Sequence, residues 1–198
     1  MKNNLTITKA TNFDIDSVLE LQSKYLISNL TDVEKKEGFV TTPFTLQQIE
    51  DIILEGGLFV AKQENKVVAY VYAGSWIYFN QWAIFPFMTS RFVNLTFKNT
   101  SISTKNSFQY GPICIDKEFR GTGLLNNIFE FMRVNLRDKY PISVTFINKI
   151  NERSIKAHVD KLKWTVIDNF EFNNNSFLML AFDMNVSVLE VTKRGTFI

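Results

Sequence analysis

The sequence predicts an α/β fold in which helices flank a mixed central sheet. Three observations support this class: helical and strand periodicities alternate along the chain, hairpin patterns occur in residues 58–79 and 164–184, and an apolar strand–helix–strand unit spans residues 108–147. Such a unit favours a right-handed crossover between two parallel strands, whereas hairpins pair antiparallel strands. The sheet should therefore contain both kinds of pairing.

The composition fits one folded domain. The chain has 198 residues, of which 45% are hydrophobic and 14% aromatic, which is enough for a packed core. The sequence contains no repeat, low-complexity tract or Pro/Gly-rich linker. No apolar run approaches the roughly 18 residues of a membrane helix. We therefore expect residues 1–198 to form a single domain that does not span a membrane.

Charge, cysteine content and the N-terminus narrow the function further. MKNNLTITKA has neither the apolar run of a secretory signal nor the arginines of a transit peptide, which favours a cytoplasmic location. One cysteine, Cys114, and one histidine are too few for a disulfide framework or a structural zinc site, so no metal is expected. A net charge of +2 does not indicate nucleic-acid binding, although five basic residues cluster between positions 149 and 163.

The first strand and helix are predicted within the first 29 residues. LTIT, residues 5–8, has strand character, and the segment from Thr11 to about Asn29 has helical periodicity, with Thr11 or Asn12 as its N-terminal cap. The apolar face of this helix is formed by five aliphatic residues: Val18, Leu19, Leu21, Leu26 and Ile27.

A second helix and a hairpin follow. Thr45 and Gln48 have the capping-box spacing, in which the threonine accepts a backbone N–H bond while the glutamine reaches back, and the helix continues until Gly56 and Gly57. LFVAKQ, the turn ENK and VVAYVYAGSWIYF then predict an antiparallel hairpin over residues 58–79.

Residues 76–106 have the character of an insertion. Between Trp76 and Phe97, eight of the 22 residues are aromatic, which is dense for an exposed connection. The segment either packs on the core as an extra helix, or forms a substrate-side wall or a dimer surface. A homodimer that pairs through this segment or through the last strands stays open.

The second half of the chain predicts a strand–helix–strand–helix unit and a closing hairpin. FQYGPICI and ISVTFIN are apolar strands, and the helix between them runs from about Gly121 to Arg137. A basic amphipathic helix from Asn151 to about Leu162 precedes the strands WTVIDNFEF and SFLMLAFDM, which meet at a turn around residues 173–175.

A glycine turn separates the first of these strands from its helix, in the run Arg120-Gly121-Thr122-Gly123-Leu124-Leu125. The N-terminus of a helix offers free N–H groups and a partial positive charge to a phosphate. The run lacks the Gly-Lys-Ser/Thr of a Walker loop, and Asn126 stands where a dinucleotide fingerprint needs its third glycine. Both of those loop types are therefore excluded.

The run resembles the R/Q-x-x-G-x-G/A loop of the GCN5-related N-acetyltransferases, the GNAT superfamily. Asn151, Ser154 and His158, with the tail that follows them, are similar to the family segment N-x-x-A/S-x-x-x-Y/H-x-x-L-G-F. Two departures are Leu125, where the family has Gly or Ala, and the tail, which carries one extra residue and has Lys-Trp in place of Gly-Phe. The predicted order of elements over about residues 5–184 also resembles that of the family.

The resemblance implies the GNAT acyl-CoA N-acyltransferase fold, with a parallel strand pair that splays apart, and acetyl-CoA as the cofactor. In the family, the strand before the loop pairs with the pantetheine arm and polarises the thioester carbonyl, while the loop binds the pyrophosphate. The residues that match the cofactor-binding positions are Ile113, Cys114, Ile115, Arg120, Gly121, Thr122, Gly123, Leu124, Leu125, Asn151 and Ser154.

The resemblance also points to candidates for proton transfer. His158 matches a position from which a family tyrosine often protonates the leaving thiolate, and it either acts as that acid or packs and hydrogen-bonds at the sulfur end of the cofactor. Asp116 and Glu118 are candidates for the base that deprotonates the amine, or are solvated acids at a strand end. Tyr110 is a further candidate, whereas Cys114 is expected to be a buried small residue and not a nucleophile.

One main function and two rivals follow from these expectations. The main hypothesis is an N-acetyltransferase that transfers an acetyl group from acetyl-CoA directly to a small-molecule or amino-acid-like primary amine in a ternary complex. Residues 37–44 and the aromatic insertion would line the acceptor site. The rivals are a catalytically weak or inactive acyl-CoA sensor of the same fold, which Leu125 suggests, and a phosphate-loop protein for another nucleotide. Residues 185–198 have no functional interpretation.

Overall fold

The fold is a mixed α/β arrangement, described by a computed structural model for residues 5–190. Its strands are β1 (Leu5–Lys9), β2 (Leu58–Gln63), β3 (Lys66–Gly74), β4 (Thr96–Phe97), β5 (Thr100–Ser101), β6 (Ser107–Ile115), β7 (Ile142–Asn148), β8 (Thr165–Phe172) and β9 (Asn175–Asp183). Its α-helices are α1 (Ile15–Tyr25), α2 (Asp32–Lys35), α3 (Leu46–Leu54), α4 (Trp76–Phe79), α5 (Ile84–Ser90), α6 (Leu124–Leu136) and α7 (Glu152–Lys156).

Within the described residues, seven strands form one mixed sheet in the order β1-β2-β3-β6-β7-β9-β8. Strands β6 and β7 run parallel, with Ser107 opposite Ile142 and Gln109 opposite Val144, and α6 connects them. Antiparallel pairing joins β1 to β2, β2 to β3, β7 to β9 and β8 to β9. The predicted combination of a parallel pair with antiparallel hairpins is confirmed.

Contacts divide the chain into two compact units, each built from separate stretches of sequence. The first unit comprises the residues up to Gly74 together with Gly111–Met132. Its core brings the fully buried Val18 of α1 and Ile49 of α3 together with the apolar strands β2 and β3. Removing this apolar surface from water is the main source of its stability.

The second unit comprises Ser75–Tyr110 and the residues from Arg133 onwards. The aromatic insertion supplies its helices α4 and α5 and the β4–β5 hairpin. Phe85 of α5 lies edge-on to Phe146 of β7, with ring centroids 5.4 Å apart, and Phe87 lies 5.8 Å from Phe170 of β8. The insertion is therefore a packed layer of this unit, not an exposed connection.

The first helix is shorter than its apolar periodicity predicts. It ends at Tyr25 because Leu26 is extended and forms a parallel bridge with Val40. Val40 donates its N–H to the Tyr25 carbonyl at 2.9 Å and accepts from the Ile27 N–H at 2.9 Å. The predicted continuation to Asn29 was wrong, because backbone bonds to a distant segment replace the helical ones.

Two further boundaries differ from their predictions. The strand predicted to run through Phe79 ends at Gly74, because the Ser75 Oγ accepts the Tyr78 N–H at 3.1 Å and caps α4. Helix α6 begins at Leu124 and not at Gly121, because the glycines before it have positive φ angles. In both cases the prediction followed the pattern of apolar side chains and missed a local backbone feature, the cap at Ser75 and the positive φ angles of the glycines.

The chain ends beyond the sheet with a partly described tail. The buried Arg133 donates from Nη1 to the Met184 carbonyl at 2.6 Å, and Val188 is also buried. Residues 191–198 of the predicted tail lie outside the described residues. No helix among residues 5–190 is long and apolar enough to cross a membrane.

Candidate functional site

The glycine loop connects β6 to α6 in the first unit. Gly121 and Gly123 have φ angles of 80° and 87°, a backbone region in which other residues are strained. A Cβ atom at either position would meet no other atom within 4 Å. The backbone conformation is thus what requires these glycines, and the space beside them is open.

The loop carries backbone donors at a tight turn before α6. In the described part of the chain, the N–H groups of residues 121–124 make no well-formed hydrogen bond, and the first bond into α6 runs from the Asn127 N–H to the Gly123 carbonyl at 3.2 Å. The Thr122 hydroxyl is occupied, since it donates to the Phe119 carbonyl at 2.7 Å. Free N–H groups at the start of the 13-residue α6 suit an anionic group such as a phosphate.

The two leucines that follow the loop have different environments. Leu124 is buried in the core, with 3% of its surface exposed, whereas Leu125 is half-buried. Leu124 therefore anchors the first turn of α6. Leu125, which departs from the small residue of the GNAT loop, lies partly at the surface and not in the core.

The Arg120 side chain is bound to the protein beside this loop. Its Nε donates to the Ile115 carbonyl at 2.8 Å, and its Nη1 donates to the Glu37 carbonyl at 2.6 Å. The guanidinium carbon lies 4.7 Å from the centre of the Tyr25 ring, a cation–π contact. Arg120 therefore fixes the loop to the end of β6 and to the segment after α2, while its remaining N–H groups stay available to an anion.

Asp116 is a paired, buried acid. Its carboxylate accepts hydrogen bonds from Lys24 Nζ at 2.7 Å, from the Tyr25 hydroxyl at 3.3 Å and from the Glu118 N–H at 3.2 Å. Burial by itself would raise the pKa of Asp116, but these bonds, led by that of Lys24, hold its pKa below the usual 3.8. Asp116 is not the solvated acid that its position suggests, whereas Glu118 is exposed.

The end of β6 holds the predicted backbone donors Ile113, Cys114 and Ile115. Cys114 is buried and the residues on either side of it are half-buried. Burial raises the pKa of the Cys114 thiol to about 12, although the nearby Arg120 charge opposes this. The thiol is therefore protonated at neutral pH, as a packing residue would be and a nucleophile would not.

Residues 37–44, the predicted acceptor-lining segment, are held against α1 in the same unit. The buried Gln22 donates from Nε2 to the Phe44 carbonyl at 3.0 Å, and its Oε1 accepts the Phe44 N–H at 2.9 Å. The Phe44 ring stacks on Tyr72 with centroids 4.3 Å apart. The Gln22 amide thus forms with the Phe44 backbone the two hydrogen bonds that a neighbouring β-strand would otherwise form.

Asn151, Ser154 and His158 lie in the second unit, where Asn151 caps α7. Its Oδ1 accepts the Ser154 N–H at 3.2 Å, and its carbonyl accepts the Ile155 N–H at 3.1 Å. Asn151 is buried. Its role as a helix cap was not included in the sequence interpretation. The five basic residues between positions 149 and 163 are all exposed.

The residues after α7 explain the altered family tail. Ala157–Lys161 form a π-helical turn in which the Leu162 N–H bonds to the Ala157 carbonyl at 3.1 Å. A π-helical turn accommodates one more residue than an α-helical turn, which matches the extra residue of the tail. Lys163, at φ 62°, takes the left-handed conformation where the family has glycine.

His158 and Tyr110 contact each other in this unit. His158 Nδ1 lies 2.7 Å from the Ser154 carbonyl oxygen, and Nε2 lies 3.3 Å from the Tyr110 hydroxyl. The rings of both residues pack on Trp164, with centroids 5.9 Å and 4.9 Å from its ring. Burial raises the pKa of Tyr110, and burial lowers the pKa of His158 to about 4, against a small opposing effect of the Ser154 carbonyl.

Several residues that support these groups were not predicted. Lys24 and Tyr25 hold Asp116 and Arg120 in the first unit, and Gln109 in the second donates from Nε2 to the Tyr110 carbonyl at 2.7 Å. Lys24 and Tyr25 are about ninety residues from their partners in the sequence, so no local pattern could have identified them. Among residues 5–190, no group of three or more His, Cys, Asp or Glu side chains could hold a metal ion.

Direct sequence comparison assigns the chain to no family. No protein-family model matches it. No curated protein matches it either. Its similarity to known proteins is therefore carried by structure.

Several solved structures with a similar fold are named as acetyltransferases. An N-acetyltransferase from Staphylococcus aureus Mu50 is 20% identical, with a TM-score of 0.61 over 91% of this chain and 99% of that one. The protein yncA from Salmonella typhimurium, assigned as an acetyltransferase and solved with its cofactor acetyl-CoA, is 17% identical, with a TM-score of 0.60 over 92% and 95%. The ribosomal-protein-alanine N-acetyltransferase of Brucella melitensis is 17% identical, with a TM-score of 0.59 over 90% and 99%.

These likenesses confirm the predicted fold. Identities of 17–20% are too low to transfer an acceptor or a mechanism. They do cover about nine-tenths of the chain. The chain therefore has the fold of the GNAT N-acetyltransferases.

Proposed function

We propose that this chain, which has the GNAT fold, is an acetyl-CoA-dependent N-acetyltransferase. Its acceptor would be a primary amine of a small or amino-acid-like molecule, and transfer would be direct within a ternary complex. The observation that carries the proposal is the glycine loop, where, among the described residues, backbone N–H groups that make no well-aligned hydrogen bond lie at the start of a 13-residue helix. The structural neighbours supply the class of reaction.

The residues of the loop fit the pyrophosphate of coenzyme A. A pyrophosphate needs several N–H donors on one turn and room in front of them, and the loop has N–H groups without well-aligned hydrogen bonds and open space beside both glycines. Arg120 adds a positive charge whose position is fixed by two carbonyl oxygens and a tyrosine face. When bound, acetyl-CoA would supply the acetyl group as a reactive thioester.

Burial and hydrogen bonding distinguish among the three candidates for the general base. Asp116 is engaged with Lys24 and Tyr25, and Tyr110 is buried with a raised pKa. Glu118 is exposed and stands two residues after Asp116 at the same end of β6. We assign the deprotonation of the amine to Glu118, directly or through a water molecule.

The direct-transfer part of the proposal rests on the state of Cys114. An acyl-enzyme would require a nucleophile near the end of β6, and a thiol with a pKa of about 12 is almost wholly protonated at pH 7. A buried thiol is also poorly placed to receive a bulky group. Cys114→Ala should therefore leave turnover within about twofold of the wild type, since no covalent step depends on it.

Isothermal titration calorimetry tests the cofactor directly. Acetyl-CoA should bind the purified protein with micromolar affinity, whereas ATP, which also carries a pyrophosphate, should bind at least about tenfold more weakly. Equal binding of the two would favour a general nucleotide-binding loop. A panel of amines with acetyl-CoA, read by the release of free thiol, would then identify the acceptor class.

A catalytically weak acyl-CoA sensor is the second candidate. It is favoured by His158, which is buried, has a lowered pKa and stands where many family members have a proton-donating tyrosine. Tight binding of acetyl-CoA without thiol release for any amine in the panel would support this candidate over the enzyme.

A further inference from the structure

The hydrogen bonds of His158 determine which of its ring nitrogens carries a proton. A carbonyl oxygen can only accept, so the 2.7 Å contact with the Ser154 carbonyl, which is much shorter than the 3.4 Å contact with the Ser154 hydroxyl, favours Nδ1 as the donor. A neutral imidazole has one N–H, which leaves Nε2 with its lone pair. The Tyr110 hydroxyl, 3.3 Å away, must then donate to Nε2.

The surroundings of His158 favour this neutral form. Only 3% of the residue is exposed, and its ring packs edge-on against Tyr110 and Trp164. Within the described residues, Tyr110 is the one titratable side chain that contacts the ring, and no carboxylate or cation contributes to its pKa. A second proton on the imidazole would displace the Tyr110 hydrogen from Nε2 and place an unpaired charge in an apolar pocket.

We infer that His158 is a positioning residue, a neutral hydrogen-bond acceptor that fixes Tyr110, and not a proton donor. The hydroxyl of Tyr110 is held by His158, its ring by Trp164 and its carbonyl by Gln109. Tyr110 is thereby fixed immediately before Gly111, whose φ of 99° breaks the regular course of β6. The residues after Gly111 are the proposed thioester-polarising donors. An effect of Tyr110 on catalysis through these residues therefore rests on the proposed function.

Nuclear magnetic resonance tests the protonation state without any need for activity. The chain contains a single histidine, so its ¹⁵N resonances need no assignment. We expect a long-range ¹H–¹⁵N spectrum to show the Nδ1–H tautomer, with no titration between about pH 5.5 and pH 8.5. Tyr110→Phe should shift the Nε2 resonance because it removes the donor.

An Nε2–H tautomer, or a midpoint near the unperturbed value of about 6.5, would overturn the inference. This measurement can fail while acetyl transfer is confirmed, and it can succeed on a protein that acetylates nothing. The failure of the inference and the failure of the proposed function are thus distinguishable.

Kinetics test the positioning role itself. His158→Gln keeps an acceptor for the Tyr110 proton and should retain kcat within about threefold, whereas His158→Phe removes the acceptor and should lower kcat about tenfold. The KM for acetyl-CoA should change little in either variant, and the wild-type pH–rate profile should lack a limb near pH 6.5. An equal loss of kcat in both variants, together with a wild-type kcat that changes with pH around pH 6.5, would make His158 a proton donor and refute the inference.

Discussion

The glycine loop and the Asn151–His158 segment both resemble GNAT motifs, yet their hydrogen bonding is opposite. Within the described chain, the N–H groups of residues 121–124 make no well-aligned hydrogen bond, and residues 121–123 are exposed to solvent. In the second segment, Asn151 caps a helix and both ring nitrogens of His158 have partners. A match to a family motif can therefore belong either to a loop with exposed donors or to a network whose polar groups bond to each other, and the backbone and side-chain partners distinguish the two.

The largest effect is expected at the loop glycines. Replacing both Gly121 and Gly123 by alanine forces two residues with side chains into positive φ angles. Reforming the loop around an anion should then cost about 2–4 kcal/mol. The Kd for acetyl-CoA should rise about 30- to 1000-fold, as measured by calorimetry.

Gly56→Ala is the matched control for that change. Gly56 has a φ of 69° at the end of α3, and a Cβ there would meet only the Lys9 Nζ, at 4.0 Å. It should lower stability by about 1 kcal/mol through the same strain and leave the Kd unchanged. Unaltered affinity in the double loop variant would mean that the loop does not bind the cofactor.

Arg120 tests whether the loop needs a charge or a fixed position. Lysine keeps the positive charge but cannot bond both the Ile115 and Glu37 carbonyls while stacking on a ring. We expect Arg120→Lys to behave like Arg120→Ala, with a Kd for acetyl-CoA raised about tenfold and a loss of stability of about 1–2 kcal/mol. A lysine variant with wild-type affinity beside a weakened alanine variant would show that charge alone acts.

Asp116→Asn tests whether this acid is an anchor or a base. As an anchor, the carboxylate should contribute about 2 kcal/mol at pH 7, measured by urea unfolding, while kcat falls less than threefold. Because the folded pKa lies below the usual 3.8, this contribution is present above that pH and is lost as pH falls through the folded value. The difference between variant and wild type should therefore shrink by pH 3.

The exposed pair of Lys35 and Asp32 is the control for Asp116. The Asp32 side chain is 95% exposed, so Asp32→Asn should barely change the free energy of unfolding at either pH 7 or pH 3. A large fall in kcat for Asp116→Asn without a change in stability would instead assign the base to Asp116.

The smallest effect is expected after the π-helical turn. Lys163→Gly removes a side chain from a residue at φ 62° and should stabilise the protein by about 0.5–1 kcal/mol. Acetyl-CoA affinity should not change, since the strained residue follows the Asn151–His158 segment, whose polar groups bond to the protein itself. A lower urea midpoint for the glycine variant would show that Lys163 makes a compensating contact.

Periodicity predicted most of the fold because the central strands and the long helices bury apolar residues. The Thr45 capping box and the β2–β3 hairpin are local signals, and both are present in the structure. The predictions failed where a distant partner decided the outcome, as at Leu26, which bonds to Val40 instead of continuing the helix. They also failed at WIYF, where high strand propensity concealed the helix cap at Ser75.

Sequence reasoning identified the positions of the candidate site but not their partners. Gly121 and Gly123 were predictable as turn residues because glycine adopts positive φ angles with the least strain. The pairing of Asp116 with Lys24 and of His158 with Tyr110 depends on side chains 92 and 48 residues away. Whether an acid is solvated or buried, and which nitrogen carries a proton, therefore required the three-dimensional arrangement.

The Gln22 amide sets a minimum length for the connection between α1 and α3. Leu26 and Gln22 attach to Val40 and Phe44, so the chain between these two attachments must span a fixed distance. Residues added among positions 41–43 can bulge into solvent with little change in the free energy of loop closure. Removing one residue there would shorten the chain between two fixed attachments, so we expect length variation in this connection to occur more readily as insertion than as deletion.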